Sequence, residues 1–284
     1  MKITNIAVAL SCLPVLAACL SGQTPMWNHN PQSNSGPLRW GNVAPSNATC
    51  GTAPDLTGKA VIQVGMKQTP INIDSTKATP GLLPALTFRY LDSPLEVENT
   101  GHVVEVHYAP GSSLLIGKSP TDDYKLVQFH FHAPSEHTVD GKSYDAELHL
   151  VHTNILGEIA VVGILLNKIS SDLNKTSTAT AGIYQDVVST APMKGGSAHP
   201  AGRKLNAKDL LPASKSYYSY TGSLTTPPCS ESVRWFVLTK PVEVSDAVIR
   251  QLHSLIAAFP GYEGYQNNNR PLAPLNGRPV VLVR

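Results

Sequence analysis

Between residues 86 and 166 the chain alternates short runs of apolar, β-branched and aromatic residues with turn-forming ones, the pattern of half-buried strands. The runs fall at 86–90, 95–98, 103–108, 113–116, 125–132, 144–153 and 159–166, and they predict a mostly antiparallel sheet. Residues 170–204, rich in Ser, Thr, Ala and Gly, read as surface structure with one short helix near 181–189. A clearer helix follows Ser245 as its cap. Val248, Ile249, Leu252, Leu255, Ile256 and Phe259 repeat at the helical period, and Pro260-Gly261 stop it.

The N-terminus is patterned differently. Lys2 precedes an apolar stretch over residues 6–18, too short to span a bilayer comfortably and suited to a secretory signal. It ends in Leu16-Ala17-Ala18-Cys19, which resembles a bacterial lipobox, in which the Cys is acylated and becomes the first mature residue; an ordinary signal cut nearby is the alternative. The expected organisation is a signal peptide at 1–18, a tether and irregular N-terminal strap at 19–37, and one domain at 38–284. The protein is then expected in the periplasm or cell envelope, with the lipid at Cys19 as its only membrane attachment. With Cys12 removed and Cys19 lipidated, Cys50 and Cys229 are left to form a disulfide in an oxidising compartment, two buried free thiols being the alternative.

Composition narrows the class. A chain of 284 residues with 42% hydrophobic and 15% charged residues can bury a substantial core, and 23 Pro, 21 Gly and 6% aromatics suit a loop-rich β protein. Lys+Arg 22 against Asp+Glu 20 supplies no basic field for nucleic acid.

The chemistry lies in the histidines, half of which fall between 130 and 152. On a strand, period two puts Gln128, His130 and His132 on one face and the apolar residues on the other. A second strand puts Glu147, His149 and Val151 on one face. If the two strands lie side by side, His130, His132 and His149 converge. Three neutral imidazoles with an open fourth position make a catalytic rather than a structural zinc site. Glu147 is placed to accept from His149, and Gln128 from His130.

Three motifs resemble the α-class carbonic anhydrases: Gln128-Phe129-His130-Phe131-His132, Ser135-Glu136-His137-Thr138-Val139-Asp140-Gly141 and Ala146-Glu147-Leu148-His149-Leu150-Val151-His152. The resemblance continues in Gln68-Thr69-Pro70-Ile71-Asn72-Ile73, Gly222-Ser223-Leu224-Thr225-Thr226-Pro227-Pro228-Cys229, Val233-Arg234-Trp235 and Asn268-Asn269-Arg270-Pro271. It implies a mainly β single domain: a central, largely antiparallel twisted sheet of about ten strands with a few short peripheral helices. It also implies zinc (Zn2+) on His130, His132 and His149, with the metal stabilising hydroxide that attacks carbon dioxide to give bicarbonate. Thr225 matches the gatekeeper hydroxyl that donates to Glu136. Val151, Val161, Leu224, Val233 and Trp235 match the apolar substrate wall. Thr226 would contact bicarbonate or ordered water, and the carbonyl of Asn268 would orient His132.

His102 matches the histidine that shuttles the proton out, with His107 a weaker rival on the opposite face. His137 matches a structural histidine, while His152, His199 and His253 have no evident role. The chain departs from the family pattern at Thr69, His29, Thr100 and Glu105, and a carboxylate at Glu105 beside His102 is expected to raise that imidazole's pKa and slow proton release. Competing classes are a binding module that kept the fold without the chemistry and a zinc-capturing lipoprotein. The first should lack a zinc histidine or the Thr225–Glu136 pair, and the second should carry a flexible His-rich loop; neither trait is present. The sequence sets no oligomeric state and allows a homodimer.

Overall fold

The computed structural model describes residues 27–51, 65–169 and 179–284. The signal, the lipobox at Cys19 and the start of the tether lie outside them. Seven strands carry the architecture: β1 (Glu96–Asn99), β2 (Val104–His107), β3 (Asp123–His132), β4 (Ala146–Thr153), β5 (Ile159–Ile169), β6 (Tyr217–Ser223) and β7 (Glu231–Leu238). They belong to a 13-stranded sheet. Its main path runs Gly196–Ala198, β1, β2, β3, β4, β5, β7, β6, Val281–Val283 and Thr79–Pro80, with three further strands branching from it. The helices are short: α1 (Trp40–Val43), α2 (Ala179–Thr190) and α3 (Asp246–Ala257). Among the described residues none is long and apolar enough to cross a membrane.

The pairing is antiparallel from β1 through β5, as the alternation predicts. At the centre it changes, because β7 and Val242–Ser245 both pair with β5 in parallel. Parallel neighbours need a long crossover, and the chain between β5 and β7 includes α2. Strands β6 and β7 are not evident from alternation. On β6 only Ser219 and Thr221 break the burial of Tyr217, Tyr218, Tyr220, Gly222 and Ser223, so the period-two contrast is short.

The two faces of the sheet do different jobs. Phe129, Phe131, Leu148, Leu150, Val162, Ile164 and Phe236 point into the larger core, which α2 and α3 cover. Ser245 caps α3 by accepting from the Val248 amide, and Val248, Ile249, Leu252, Leu255 and Ile256 are buried as expected, each contributing about 1.5–3 kcal/mol. The segment expected as surface structure with one short helix is largely exposed from residue 192 to 204, and its helix, α2, buries one face. Tyr184, Val187 and Val188 of α2 are buried, Tyr184 donates its hydroxyl to the Leu210 carbonyl at 2.8 Å, and Gly196–Ala198 adds an edge strand to β1.

The opposite face holds Ile71, Val161, Leu165, Tyr220, Val233, Trp235 and Val237 as a smaller apolar cluster, and beside it the histidines. A bulge makes this possible. Gln128 pairs with Val151 and Leu126 with His152, so Val127 is the extra residue on β3. Tyr124 and Leu126 thereby stay in the large core with Phe129 and Phe131, while Gln128, His130 and His132 turn to the other face.

Candidate metal centre

Register decides the geometry. His130 is directly opposite His149 on β4, and Glu147 is opposite His132. The three imidazole rings stand 4.8 to 5.2 Å apart by centroid. One ring nitrogen from each lies within 4.8 Å of the others. His132 and His149 are buried and His130 is half-buried.

Each ring's other nitrogen is already committed. His130 Nδ1 meets Gln128 Oε1 at 2.8 Å, His132 Nδ1 donates to the Asn268 carbonyl at 2.8 Å, and His149 Nε2 donates to Glu147 Oε1 at 3.0 Å. These bonds assign the tautomers and leave His130 Nε2, His132 Nε2 and His149 Nδ1 as free lone pairs. His132 Nε2 is buried without a hydrogen-bond partner. Burial holds His132 down to about 4 and His130 well below the usual imidazole range; for His149 burial outweighs the pull of Glu147, so it too is lowered. Neutral nitrogens with one orphaned lone pair fit a divalent metal with an open fourth position.

Glu147 anchors this arrangement. Its Oε1 also accepts from His137 Nδ1 at 2.7 Å, and its Oε2 accepts the amides of Glu136 and His137 at 2.9 and 2.8 Å. Burial pushes its carboxyl up, but His137 and His149 outweigh that and hold it well below the usual range. The carboxylate lies across Gly163, opposite His149 on β5, where a Cβ would come within 2.8 Å of Glu147 Oε1. His137, expected to be structural, accepts from the Tyr220 hydroxyl at 2.6 Å through Nε2.

Glu136 is buried, with Oε1 accepting the Arg270 amide at 2.8 Å. Its Oε2 lies 3.6 Å from His132 Nε2 and 3.9 Å from His149 Nδ1. Burial pushes it up to about 7 against His149, the Arg270 amide and the Thr225 hydroxyl, which favour the charged form. Thr225 is buried in the turn between β6 and β7, whose end is tied by the Cys50–Cys229 disulfide predicted from the sequence. Arg270 donates to the carbonyls of Thr69 and Cys50 and to Gln68 Oε1 beneath it. The apolar wall also assembles. Val151 pairs with Val161 and Val161 with Trp235; Val233 is buried in the same cluster, with Val151 and Leu224 half-buried at its margin. Thr226 is half-buried beside them, and its carbonyl accepts the Cys229 amide.

Two residues of the N-terminal strap join the site, which composition alone does not reveal. Trp27 stacks on His102 at 3.7 Å and 8°, and His29 is buried 6.3 Å from the His132 ring, bonded through Nδ1 to the Tyr262 hydroxyl. The expected influence of Glu105 on His102 is not found. Burial alone lowers His102 to about 4, because Glu105 faces Gln128, His107 and Glu98 instead. His107 lies on β2 and bonds Glu98 Oε2 at 2.6 Å, whereas His102 precedes the strand. His152 does have a role in the large core, where it bonds the Tyr90 hydroxyl at 2.7 Å and the Ala160 carbonyl at 3.3 Å.

The sequence matches the family model described as eukaryotic-type carbonic anhydrase over residues 57–284. The carbonic anhydrase of Nostoc sp. is 37% identical over 250 residues, covering 87% of this chain and 82% of its own. That of Pectobacterium carotovorum is 33% identical over 275 residues, covering 96% and 98%. The α-carbonic anhydrase of Thermovibrio ammonificans, solved with the inhibitor sulfanilamide, matches with a TM-score of 0.75 at 32% identity, covering 93% of this chain and 100% of its own.

Proposed function

Because the chain belongs to the eukaryotic-type, or α-class, carbonic anhydrase family, we propose that it hydrates carbon dioxide reversibly with zinc held by His130, His132 and His149. The observation that carries this reading is the trio of neutral ring nitrogens whose partners on the far side are all satisfied. Zinc with three imidazoles and an open position supplies the Lewis acidity that lets water ionise near neutral pH, a general property of such sites.

The remaining steps belong to the chain. Thr225 donates its hydroxyl proton to Glu136 and accepts from the attacking hydroxide, which aims a lone pair of that hydroxide at the substrate carbon. Val151, Val161, Leu224, Val233 and Trp235 hold carbon dioxide, which carries no charge and makes poor hydrogen bonds, away from bulk water. Attack would form one C–O bond as one C=O π bond of carbon dioxide opens, its electron pair passing to oxygen, and the bicarbonate would leave past Thr226. Each turnover also releases a proton, which His102 accepts and passes to buffer; burial lowers its pKa to about 4, which weakens it as an acceptor. The signal pattern and Leu16-Ala17-Ala18-Cys19 support export and a lipid anchor at Cys19.

The test is stopped-flow carbon dioxide hydration on zinc-loaded protein lacking residues 1–19. A rate far above buffer, abolished by His132→Ala, supports the enzyme. A background rate with one zinc bound per chain overturns the catalytic reading and favours a binding module.

A further inference from the structure

Glu105 is a buried carboxylate that the proposed reaction does not use, and it sits in the middle of a polar chain that crosses three strands and ends at His130. Register places Glu98 on β1 opposite Glu105 on β2, Glu105 opposite His130 on β3, and His107 opposite Gln128. Two carboxylates directly opposed across strands repel. His107 stands between them, with Nε2 at 2.6 Å from Glu98 Oε2 and Nδ1 at 3.5 Å from Glu105 Oε1. The other oxygen, Glu105 Oε2, takes Gln128 Nε2 at 2.9 Å, and Gln128 Oε1 meets His130 Nδ1 at 2.8 Å.

We propose that Glu105 is a positioning residue for the metal: by fixing which way the Gln128 amide faces, it selects the only tautomer of His130 that can bind. Burial pushes the Glu105 carboxyl up to about 7, while His107 beside Oε1 favours its charged form. In that form the carboxylate accepts and does not donate, and the end of the amide toward Glu105 is the NH2 group that meets Oε2. The planar amide then presents its oxygen to His130, which must carry its proton on Nδ1 and keep Nε2 free. A flipped amide would donate to Nδ1, place the ring proton on Nε2 and remove one of the three ligands. Gln128 alone satisfies His130 in either orientation; Glu105 breaks that symmetry. Outer groups of this kind govern metal affinity as well as ring orientation.

This inference rests on the zinc reading of His130, but part of its test needs no metal. In the metal-free protein, nitrogen-15 NMR of the His130 ring is expected to show the Nδ1–H form alone in the wild type and a mixture with Nε2–H in Glu105→Met. In the zinc-loaded protein, Glu105→Met is expected to release zinc to a chelator about tenfold faster. Glu105→Gln, whose amide can donate as well as accept, should not recover that loss. Gln128→Met reads the same effect from the other side if Glu105→Met does not fold, and where both fold, the double variant should release zinc no faster than Gln128→Met. A single Nδ1–H form and a wild-type release rate in the folded variants would overturn the proposal. Failure of the wild type to hold zinc would instead overturn the metal reading, leaving the tautomer result to stand by itself.

Discussion

His149 donates to Glu147 across 3.0 Å although the two are only two residues apart on one strand. Period two sends both side chains to the same face, and the absence of a side chain at Gly163 leaves room for the carboxylate. That pairing leaves Nδ1 of His149 free, where His130 and His132 have Nε2 free. Because the same carboxylate also receives His137 and two backbone amides, it couples the metal site to the turn that carries Glu136.

Replacing Glu147 by Gln keeps the volume but removes the buried charge that these four donors converge on. Zinc is expected to dissociate about 10- to 100-fold faster in Glu147→Gln, measured by chelator competition. Folding stability should fall by about 3 kcal/mol in denaturant titration.

His102 stacks on Trp27, and its Nδ1 has no hydrogen-bond partner. His102→Ala is expected to lower kcat by up to about 10²-fold in weak buffer and to leave kcat/KM unchanged. Added imidazole should restore kcat. A parallel fall in kcat/KM would place His102 in substrate conversion instead of proton release.

His152 is enclosed between Tyr90 and the Ala160 carbonyl, and burial lowers it to about 4. The unfolded chain binds a proton at this residue near pH 6.5, while the folded chain does so only near 4. Its contribution is therefore present above pH 6.5 and is lost as pH falls toward 4, amounting to about 2 kcal/mol at pH 5. Denaturant melts at pH 7 and pH 5 should show this loss in the wild type and a smaller one in His152→Asn.

The Cys50–Cys229 disulfide spans a sequence separation of 179. On the chain-entropy relation a loop of that length is worth about 5 kcal/mol. Paired Cys50→Ala and Cys229→Ala substitutions are expected to lower the unfolding free energy by about that amount. The loss should reach catalysis as well, because Thr225 sits in the turn that the disulfide ties down.

What the sequence alone determined is whatever depends on local spacing. Period two placed His130 and His132 on one face with Gln128, and Glu147 with His149, because alternation on a strand depends only on the backbone. The helical repeat and the Ser245 cap located α3 for the same reason. The motif resemblance located Thr225, Glu136 and the apolar wall, and the cysteine count paired Cys50 with Cys229.

Tertiary structure decided the partners. The Val127 bulge sets the phase of β3, so a count of alternating residues cannot show that Leu126 and Phe129 share a face. The parallel pairing of β5 with β7 joins residues about 75 positions apart and leaves no local periodic mark. Glu105 meets Gln128 instead of His102 because cross-strand register carries it inward, while His102 lies before the strand begins. Trp27 and His29 come from a segment whose polar, turn-rich composition reads as a strap; the family resemblance singles out His29, and packing against Trp40, Tyr262 and His102 sets the contacts of both. Side-chain direction is a local property of the strand, but the neighbour it meets is set by register, bulges and packing contributed by distant parts of the chain.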